Sequence, residues 1–555
     1  MFIGIDIGGT FTDGVLIAGR EVLKSVKVPT QEFLSYSIED ALKEILLDVD
    51  PHKIEQVTLS TTLITNLIMQ DQTPQTGMLL LPGPGANPEQ LNFACEYKIL
   101  SGAIDYRGRL IKTVNLNEVK EACDYFAEQQ IQHIVVACKF SQRNPALEKE
   151  ICQFVQKNYP EFKVITSHEV SGLLNWVRRA NGACYTLATR EACHEFREKI
   201  NKTLTKFNLN CPLFILKADG GTLPIEISLQ YPLETIFSGP AASALGALAC
   251  NEEQTTAVVI DIGGTTTDLA LLLDGKPLLA ENGATIKSYP LPVRSLAVSS
   301  LELGGDTSLI IKEGKIGFAP RQGSALCIGG PVLTITDVLV YCGYSEIASP
   351  DLIKGQVEAM AEELKITPPQ LTKLVLEMFI GQLETKLETI FRIWEEEPAY
   401  RIWQVLSAEK ERPEKLICLG GPAGGIGRYW AEKNNWQVII PKYSAVANAI
   451  GAALAKPTLK IEFFADTERR IYSTNIGALQ GTLLQPLRYI DDAKKFFSMI
   501  FQATAKERHL TKDAAIETLY EEGFNVVRDG QTKGRIFQIG LQTVPGIRTF
   551  LQEGE

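Results

Sequence analysis

Two segments of the chain place an aspartate just before a glycine-rich turn, in nearly identical order. Phe2–Ile17 reads FIGIDIGGTFTDGVLI, and Val258–Leu272 reads VVIDIGGTTTDLALL. In each segment an apolar run, a Gly-Gly-Thr turn and a second apolar run predict a tight β-hairpin. Adjacent glycines let the backbone approach an anion closely, and successive N–H groups in a turn can form an anion nest. The two segments therefore have the chemistry to bind phosphate.

The threonines and aspartates of the hairpins suit the same purpose. Asp6 and Asp261 close the first strand of each hairpin and can hold Mg²⁺ through water, since this cation prefers oxygen ligands and keeps part of its hydration shell. One Asp-x-Gly-Gly-Thr segment is equally typical of a plain structural turn. Two copies indicate two similar lobes that close on one nucleotide. The predicted phosphate-binding residues are Gly8, Gly9, Thr10, Thr12, Gly263, Gly264, Thr265 and Thr266.

The elements around the hairpins alternate between strand and helix patterns, which predicts an α/β fold. Helices are expected over Arg178–Phe207 and from Ser238 to Ala249, and two or three more between Asp351 and Lys410. Beyond Pro457 a helix and a hairpin predict an appended small α+β domain. The expected domains are residues 1–170, 171–455 and 456–555.

Polar residues that follow predicted strands are candidates for a ligand site, because ligands of α/β folds bind at the carboxyl ends of strands. Asn66, Asp219 and Asp306 have such positions, although helix capping is an equal interpretation of Asn66 and its neighbours. The loop Gly420–Gly425 could lie flat against a base or ribose, or be a turn. The small-residue helix Ala445–Ala455 could be a pivot between lobes, or a tightly packed core element.

Bulk properties exclude several classes of protein. The chain has 555 residues, 45% hydrophobic and 22% charged, which is typical of a multidomain globular protein. A net charge of −11 argues against nucleic acid or an anionic membrane as partner. No apolar run approaches the ~18 residues of a membrane span, and no signal peptide pattern precedes the first strand. The eleven scattered cysteines predict neither a disulfide framework nor a zinc ribbon, and a cytoplasmic protein is expected.

The order of these segments resembles that of the actin, sugar-kinase and heat-shock chaperone superfamily, in which they form the two phosphate segments, the adenosine segment and the second connecting segment. The chain is more similar still to the hydantoinase A and oxoprolinase family over roughly residues 1–455. The shared motifs are DIGGTFTD at Asp6, STTLITN at Ser60, DGG at Asp219, SGPAA at Ser238, DIGGTTTD at Asp261, GG…LTITD from Gly329 to Asp337 and LGGPAGG at Leu419.

This resemblance implies a two-lobed actin-like ATPase fold with duplicated ribonuclease-H-like domains. It also implies an ATP-dependent hydrolase that opens a cyclic amide, such as a hydantoin, a lactam or an oxoproline-like ring, by phosphorylating the amide oxygen. Asp6 and Asp261 would bind Mg-ATP together with the hairpin turns and with Gly420, Gly421 and Gly424. Asp219, Asn66 and Asp306 would face the cleft and orient water or substrate. These three and the two hairpin aspartates form the predicted catalytic set.

The substrate and the partners stay open at this point. Gly172–Arg179 keeps only the terminal arginine of an acidic, tyrosine-containing stretch of the family, and Gly323–Cys327 replaces its Pro-Gly-Pro-Ala-Cys segment. A homo-oligomer or a hydantoinase B-type partner subunit is compatible with the resemblance. The alternative functions are an ATP-driven activator or chaperone-like partner of another protein, and a small-molecule kinase.

Overall fold

The computed structural model describes residues 1–251, 255–396, 411–433, 436–476, 479–507, 515–528 and 530–552. The first hairpin lies within a six-stranded sheet, in which three antiparallel strands are followed by two parallel strands and an antiparallel edge strand. Ile3, Ile5 and Ile7 are fully buried, because helices cover both faces of the sheet. The strand order is Thr222–Pro224, Leu213–Leu216, Gln56–Thr61, Phe2–Ile7, Phe11–Ala18 and Glu21–Pro29.

The second hairpin repeats this arrangement in another sheet. Asp6 lies opposite Asp13 in the first hairpin, and Asp261 lies opposite Asp268 in the second. In both sheets the strand that carries the first aspartate pairs in parallel on its other side, with Gln56–Thr61 or with Lys415–Leu419. The strands of the second sheet are Ala257–Ile262, Thr267–Leu273, Lys276–Pro277, Val298–Leu301, Lys415–Leu419 and Gln437–Ile439. The predicted duplication is thus present in the topology.

Helices surround the two sheets. Residues 397–410, the end of the predicted helical region after Asp351, lie outside the described residues. The helices of the first lobe are Leu34–Ile45, Leu63–Met69, Trp176–Lys206, Ile225–Ser228 and Ser238–Ala249. Those of the second lobe are Ile335–Tyr341, Lys354–Glu363, Pro368–Glu396, Ala423–Lys433 and Ala447–Leu454. Short 3₁₀ helices are Pro51–Lys53, Pro88–Gln90, Pro232–Thr235, Leu326–Ile328, Pro350–Leu352 and Ser444–Val446.

Two smaller units are attached to these lobes. A parallel four-stranded sheet lies within the N-terminal half and is covered by helices Leu116–Glu128, Ala146–Asn158 and Ser167–Val170. Its strands are Lys163–Thr166, His133–Cys138, Thr76–Leu81 and Glu96–Ile99. The C-terminal unit packs helix Ile490–Glu507 on the strands Gly481–Thr482, Ile471–Thr474, Lys460–Asp466, Gln531–Thr543 and Ile516–Arg528. Minor hairpins pair Ala103–Ile104 with Leu110–Lys112, Thr285–Ile286 with Tyr289–Pro290, and Ser308–Lys312 with Lys315–Ala319.

The helices Ser238–Ala249 and Ala447–Leu454 pack against each other between the lobes. Their contact is close because the facing residues are glycine and alanine. A Cβ placed on Gly451 would lie 2.1 Å from the carbonyl oxygen of Ala242, and one on Gly246 would lie 2.1 Å from that of Ala447. These helices therefore meet through their backbones, as the small-residue pattern predicts.

A disulfide joins Cys95 to Cys184, whose Cα atoms are 6.7 Å apart. The other nine cysteines are free, so this single pair is not a disulfide framework. The partners are 89 residues apart, so only the tertiary fold brings them together. Eight of the other nine cysteines are buried or half-buried, as expected of small apolar side chains. Within the described ranges, no helix is both long enough and apolar enough to cross a bilayer.

Candidate functional site

The turns of the two hairpins lie face to face. A Cβ placed on Gly264 would lie 2.9 Å from the hydroxyl oxygen of Thr10. A Cβ on Gly9 would lie 3.8 Å from the hydroxyl oxygen of Thr265. The glycine and threonine of one lobe thus meet those of the other. These contacts bring together four of the eight predicted phosphate-binding residues: Gly9, Thr10, Gly264 and Thr265.

Each turn presents hydrogen-bond donors that the protein itself does not use. The N–H groups of Gly8 and Gly263 close the hairpins, donating to Phe11 and Thr266 over 3.0 and 2.9 Å. In the described part of the chain, the N–H groups of Gly9, Thr10, Gly264 and Thr265 donate no hydrogen bond. The hydroxyl of Thr10 is buried and also lacks a partner. Free donors converging from two turns form a nest for an oxyanion.

Thr12 is arranged differently from the turn residues. Its side chain is fully buried, and its hydroxyl lies 3.0 Å from that of Thr30. The Thr30 hydroxyl in turn donates to the carbonyl oxygen of Gly8 over 2.9 Å. Thr12 therefore supports the first turn from behind, while its predicted role as a direct phosphate ligand stays a prediction.

Asp6 and Asp261 converge from the two lobes on a single amide side chain. Asn448, on helix Ala447–Leu454, has its Nδ2 2.9 Å from Asp261 Oδ2 and 3.4 Å from Asp6 Oδ2. Ser243, on the other connecting helix, donates its hydroxyl to Asp261 over 2.6 Å. Both carboxylates are buried, each with 7% exposure. The connecting helices thus hold the carboxylates of both hairpins in one place.

Burial and repulsion from neighbouring carboxylates raise the pKa of two aspartates at this site. Burial raises the pKa of Asp6 to about 7; the charges of Asp13 and Asp261 add to this, and the nearby Ser60 hydroxyl and Asn448 amide oppose it. In the second hairpin, burial and the charge of Asp261 raise the pKa of Asp268 to about 7. Carboxylates that repel one another so strongly are stabilised by a cation between them.

The donor set fits Mg²⁺. Within the ranges that the structure describes, no cluster of three or more His, Cys, Asp or Glu side chains could enclose a metal ion. A cation near Asp6 and Asp261 would contact few protein oxygens and complete its shell with water and phosphate. Mg²⁺ binds in this way, through one or two carboxylates and retained water.

The loop after strand Lys415–Leu419 lies directly beside Asp261. Gly420 has φ +90°, and a Cβ there would be 2.2 Å from the carbonyl oxygen of Ile262 and 2.9 Å from Asp261 Oδ1. Only glycine fits this position. Gly421 has open space around it, and the nearest atom to a Cβ on Gly424 would be 3.9 Å away, in Ile440. The loop is therefore packed tightly against the carboxylate site at Gly420. At Gly421 and Gly424 the surface is open and has room for a nucleoside.

Asp306 belongs to the same site. The N–H groups of Gly305 and Asp306 donate to the carbonyl oxygens of Gly263 and Gly264 over 2.8 and 2.7 Å, which fixes this segment on the second turn. Arg321 donates its Nε–H to Asp306 Oδ2 over 3.1 Å. Burial raises the pKa of Asp306, and the charge of Arg321 opposes the rise. The arginine brings a positive charge close to the predicted phosphate position.

The other two predicted catalytic residues make their hydrogen bonds to residues outside this group. Asn66 is exposed on helix Leu63–Met69 and donates to the hydroxyl of Thr62 over 3.1 Å. Asp219 is buried, where its carboxylate lies 3.2 Å from Lys217 Nζ and accepts 2.6 Å from Gln542 of the C-terminal sheet. Burial alone would raise the pKa of Asp219, but Lys217, the N–H of Gly221 and Gln542 lower it. The structure thus places Asp219 in a buried ion-pair network with no hydrogen bond to Asp6 or Asp261.

Sequence reasoning missed Asn448, Ser243 and Arg321. For Asn448 a signal existed, since it is the one amide within the small-residue helix at 445–455. Ser243 directly follows the SGPAA motif at Ser238, and Arg321 stands in a segment without a distinguishing pattern. Asn448 lies 187 and 442 residues from its two aspartates, whereas Ser243 is 18 residues from Asp261 and Arg321 is 15 residues from Asp306.

The duplicated sheets, the facing hairpins and the glycine loop define the actin-like ATPase fold. The family model described as Hydantoinase/oxoprolinase matches residues 179–461, and that of the Hydantoinase/oxoprolinase N-terminal region matches residues 2–159. The chain belongs to the hydantoinase/oxoprolinase family.

Individual relatives are distant in sequence. The caprolactamase subunit alpha of Pseudomonas jessenii is 23% identical over 501 residues, covering 82% of this chain and 70% of that subunit. The nucleotide-free acetone carboxylase from a study of ATP-dependent acetone carboxylation superposes with a TM-score of 0.71 at 15% identity, over 99% of this chain and 88% of that one. The ATP-dependent caprolactamase from Pseudomonas jessenii gives a TM-score of 0.68 at 18% identity, over 100% and 89%. At these identities the superpositions establish the fold.

Proposed function

We propose that the protein is a Mg-ATP-dependent hydrolase that opens a cyclic amide. The observation that carries the proposal is the junction at which two glycine turns with unused N–H donors meet two buried carboxylates bridged by Asn448. Such a junction brings hydrogen-bond donors for phosphate oxygens close to carboxylate acceptors for a hydrated cation. Membership of the hydantoinase/oxoprolinase family supports amide hydrolysis as the use of this nucleotide site.

The residues divide into three roles. Asp6 and Asp261 would hold Mg²⁺ through water, and the ion would neutralise charge on the phosphates. The turn amides and hydroxyls would orient the phosphate chain, while Gly420, Gly421 and Gly424 would receive the adenosine. Arg321, fixed by Asp306, would add positive charge near the terminal phosphate.

The proposed chemistry uses ATP to make a poor electrophile reactive. The amide oxygen attacks the γ-phosphorus and ADP leaves. Water then adds to the carbonyl carbon of the O-phosphorylated amide, the C–N bond breaks, and the nitrogen leaves with a proton. A second water hydrolyses the acyl phosphate. One ATP, two waters and one lactam thus become ADP, inorganic phosphate and one amino acid.

The name of a related protein supports a partner subunit for this chain. The relative in Pseudomonas jessenii is named as one subunit, alpha, of caprolactamase. We propose that this chain likewise works with a second subunit, which would complete the substrate site. Because Gly172–Arg179 and Gly323–Cys327 depart from the family's motifs, we expect the choice of ring to depend on this chain's own residues and on that partner.

The test is to incubate the protein with Mg-ATP and a panel of lactams, hydantoins and 5-oxoproline, alone and with a co-purified partner. Ring-opened product is measured by mass spectrometry, and ADP and phosphate by coupled assays. The proposal predicts equal amounts of amino acid, ADP and phosphate. A phosphorylated product without free phosphate would identify a kinase instead. ATP turnover that responds only to a protein, and to no ring in the panel, would identify an activator.

A further inference from the structure

A second cavity lies away from the hairpins, between the first lobe and the C-terminal sheet. Its volume is about 360 Å³, within the range of small-molecule sites. Its apolar lining, here called the apolar wall, includes Leu223, Ile227 and Ile476. Its charged lining, here called the charged wall, comes from both units. No residue of the hairpin turns lines this cavity.

The charged wall is a ladder of alternating signs. Lys217 lies 3.2 Å from Asp219 and 3.4 Å from Glu234. Lys460 lies 3.6 Å from Glu234 and 3.5 Å from Glu462. Lys217 and Glu462 are nearly inaccessible, with side-chain exposures of 5% and 4%. Two cations and two anions thus face one small space, with Asp219 behind them.

The ladder has unused hydrogen-bonding capacity. Both contacts of Lys460 are longer than the 2.7–3.2 Å typical of N–H···O hydrogen bonds. Glu462 Oε2 accepts the N–H of Gly172 over 2.6 Å, whereas its buried Oε1 faces Lys460 Nζ at 3.5 Å and accepts no hydrogen bond. This ion pair compensates the burial of Oε1 only in part, so a hydrogen-bond donor from a ligand would stabilise it.

We propose that this cavity binds a small aliphatic amino acid in its zwitterionic form. The ammonium group would contact Glu234 and Glu462, the carboxylate would contact Lys217 and Lys460, and the methylene groups would lie on Ile227 and the apolar wall. A simple anion would satisfy the lysines and repel the glutamates, and a simple cation would do the reverse. The choice of an ω-amino acid rests on the proposed function, because opening a lactam yields such a molecule.

A product bound in the cavity would strengthen the contact between the C-terminal sheet and the rest of the chain. Glu462 and Gln542 belong to the C-terminal sheet, and they hold Gly172 and Asp219 of the rest of the chain. A zwitterion bound between Glu462 and Lys217 would therefore add contacts across the same boundary. Binding should raise the thermal midpoint of the whole chain.

The experiment is isothermal titration of the full-length protein, without nucleotide, with 6-aminohexanoate, 4-aminobutyrate, hexanoate and hexylamine. We expect an amino acid to bind and both single-charge analogues to bind at least tenfold more weakly. Ile227→Trp fills the cavity without replacing a charged residue, and it should weaken amino acid binding at least tenfold. The matched control is Glu226→Gln, one residue earlier, whose side chain is 59% exposed and pairs with Arg197. This variant should bind like wild type, and ATP binding should persist in both variants as evidence of folding.

Three results would overturn the cavity proposal: no binding of either amino acid, equal binding by hexanoate or hexylamine, or undiminished binding by folded Ile227→Trp. These results are independent of the proposed function. Lactam opening without amino acid binding would refute the cavity alone. Amino acid binding in a protein that opens no ring would refute the proposed reaction alone.

Discussion

The close contact of the two connecting helices makes a strong prediction about Gly451. A methyl group there would overlap the carbonyl oxygen of Ala242 at 2.1 Å and the amide nitrogen of Gly246 at 2.7 Å. Both neighbours are backbone atoms, so no rotamer change relieves the overlap. Gly451→Ala must push the helices about 1 Å apart, and Asn448 lies on the moving helix.

The magnitude follows from two opposing effects. Forcing an extra methyl into a packed core costs about 1–3 kcal/mol, and backbone contacts place this site at the upper end. Replacing glycine by alanine inside a helix returns about 1 kcal/mol. The net loss of stability is therefore about 2 kcal/mol, which lowers the thermal midpoint by about 2 °C if all 555 residues unfold together and by about 4 °C if one lobe of about 250 residues unfolds as a unit. Displacement of Asn448 should also lower kcat/KM for ATP hydrolysis about tenfold, since it weakens a charge-assisted hydrogen bond.

The chain offers a matched control in Gly381, within helix Pro368–Glu396, where a Cβ would meet no atom within 4 Å. Gly381→Ala makes the same chemical change in open space and should stabilise the protein by about 1 kcal/mol. Calorimetry and phosphate release would measure both variants. If Gly451→Ala were as stable and active as Gly381→Ala, the described helix contact and the role of Asn448 would be refuted.

Two further predictions concern the glycine loop and the buried ion pair. Gly421→Val fills the open space where adenosine is expected, so Kd for ATP should rise at least tenfold while the rate at saturating ATP changes little; an unchanged Kd would move the nucleoside elsewhere. Asp219→Asn leaves Lys217 with a weaker partner and should destabilise the protein by about 3 kcal/mol at pH 7. Because the folded pKa of Asp219 is lowered, its contribution is complete above its unfolded pKa of about 4 and disappears as the pH falls below that value. Urea unfolding at pH 7 and pH 3 should show the difference between variant and wild type shrinking, and an equal difference at both pH values would contradict this account of the pair.

The hairpins could be predicted because their information is local. Alternating apolar residues, paired glycines and an aspartate at the strand end are all contained within sixteen residues, and the repeat at Val258 supplies the second copy. The facing of Thr10 and Thr265 follows once two lobes close on each other. The small C-terminal unit was likewise visible as a helix and a hairpin. The sequence pattern predicts that hairpin over Asn525–Val544, whereas strand Ile516–Arg528 begins nine residues earlier. Its polar, bulged N-terminal half shows little of the period that identifies a strand.

Other features depend on contacts that the sequence does not display. Asn448 reaches the carboxylates only because its helix packs against strand Phe2–Ile7, with a Cβ on Gly4 placed 2.0 Å from the carbonyl oxygen of Ala449. The position of Asp219 depends on Gln542, which lies 323 residues later in the chain. A strand-end aspartate has the same appearance in the sequence whether it faces a cleft or a buried lysine. Tertiary packing decides between these two environments.

The central claim is that one nucleotide is bound between the two hairpin carboxylates, and the most direct measurement is ATP hydrolysis by Asp261→Asn at saturating Mg²⁺. This change keeps the size of the side chain and its hydrogen-bonding position beside Ser243, but it removes the charge. The account predicts a fall in turnover of at least a hundredfold, with a thermal midpoint within about 2 °C of wild type. The control Asp491→Asn, on an exposed residue of the C-terminal helix, should leave turnover unchanged. Wild-type hydrolysis by Asp261→Asn would contradict the claim and place the nucleotide elsewhere.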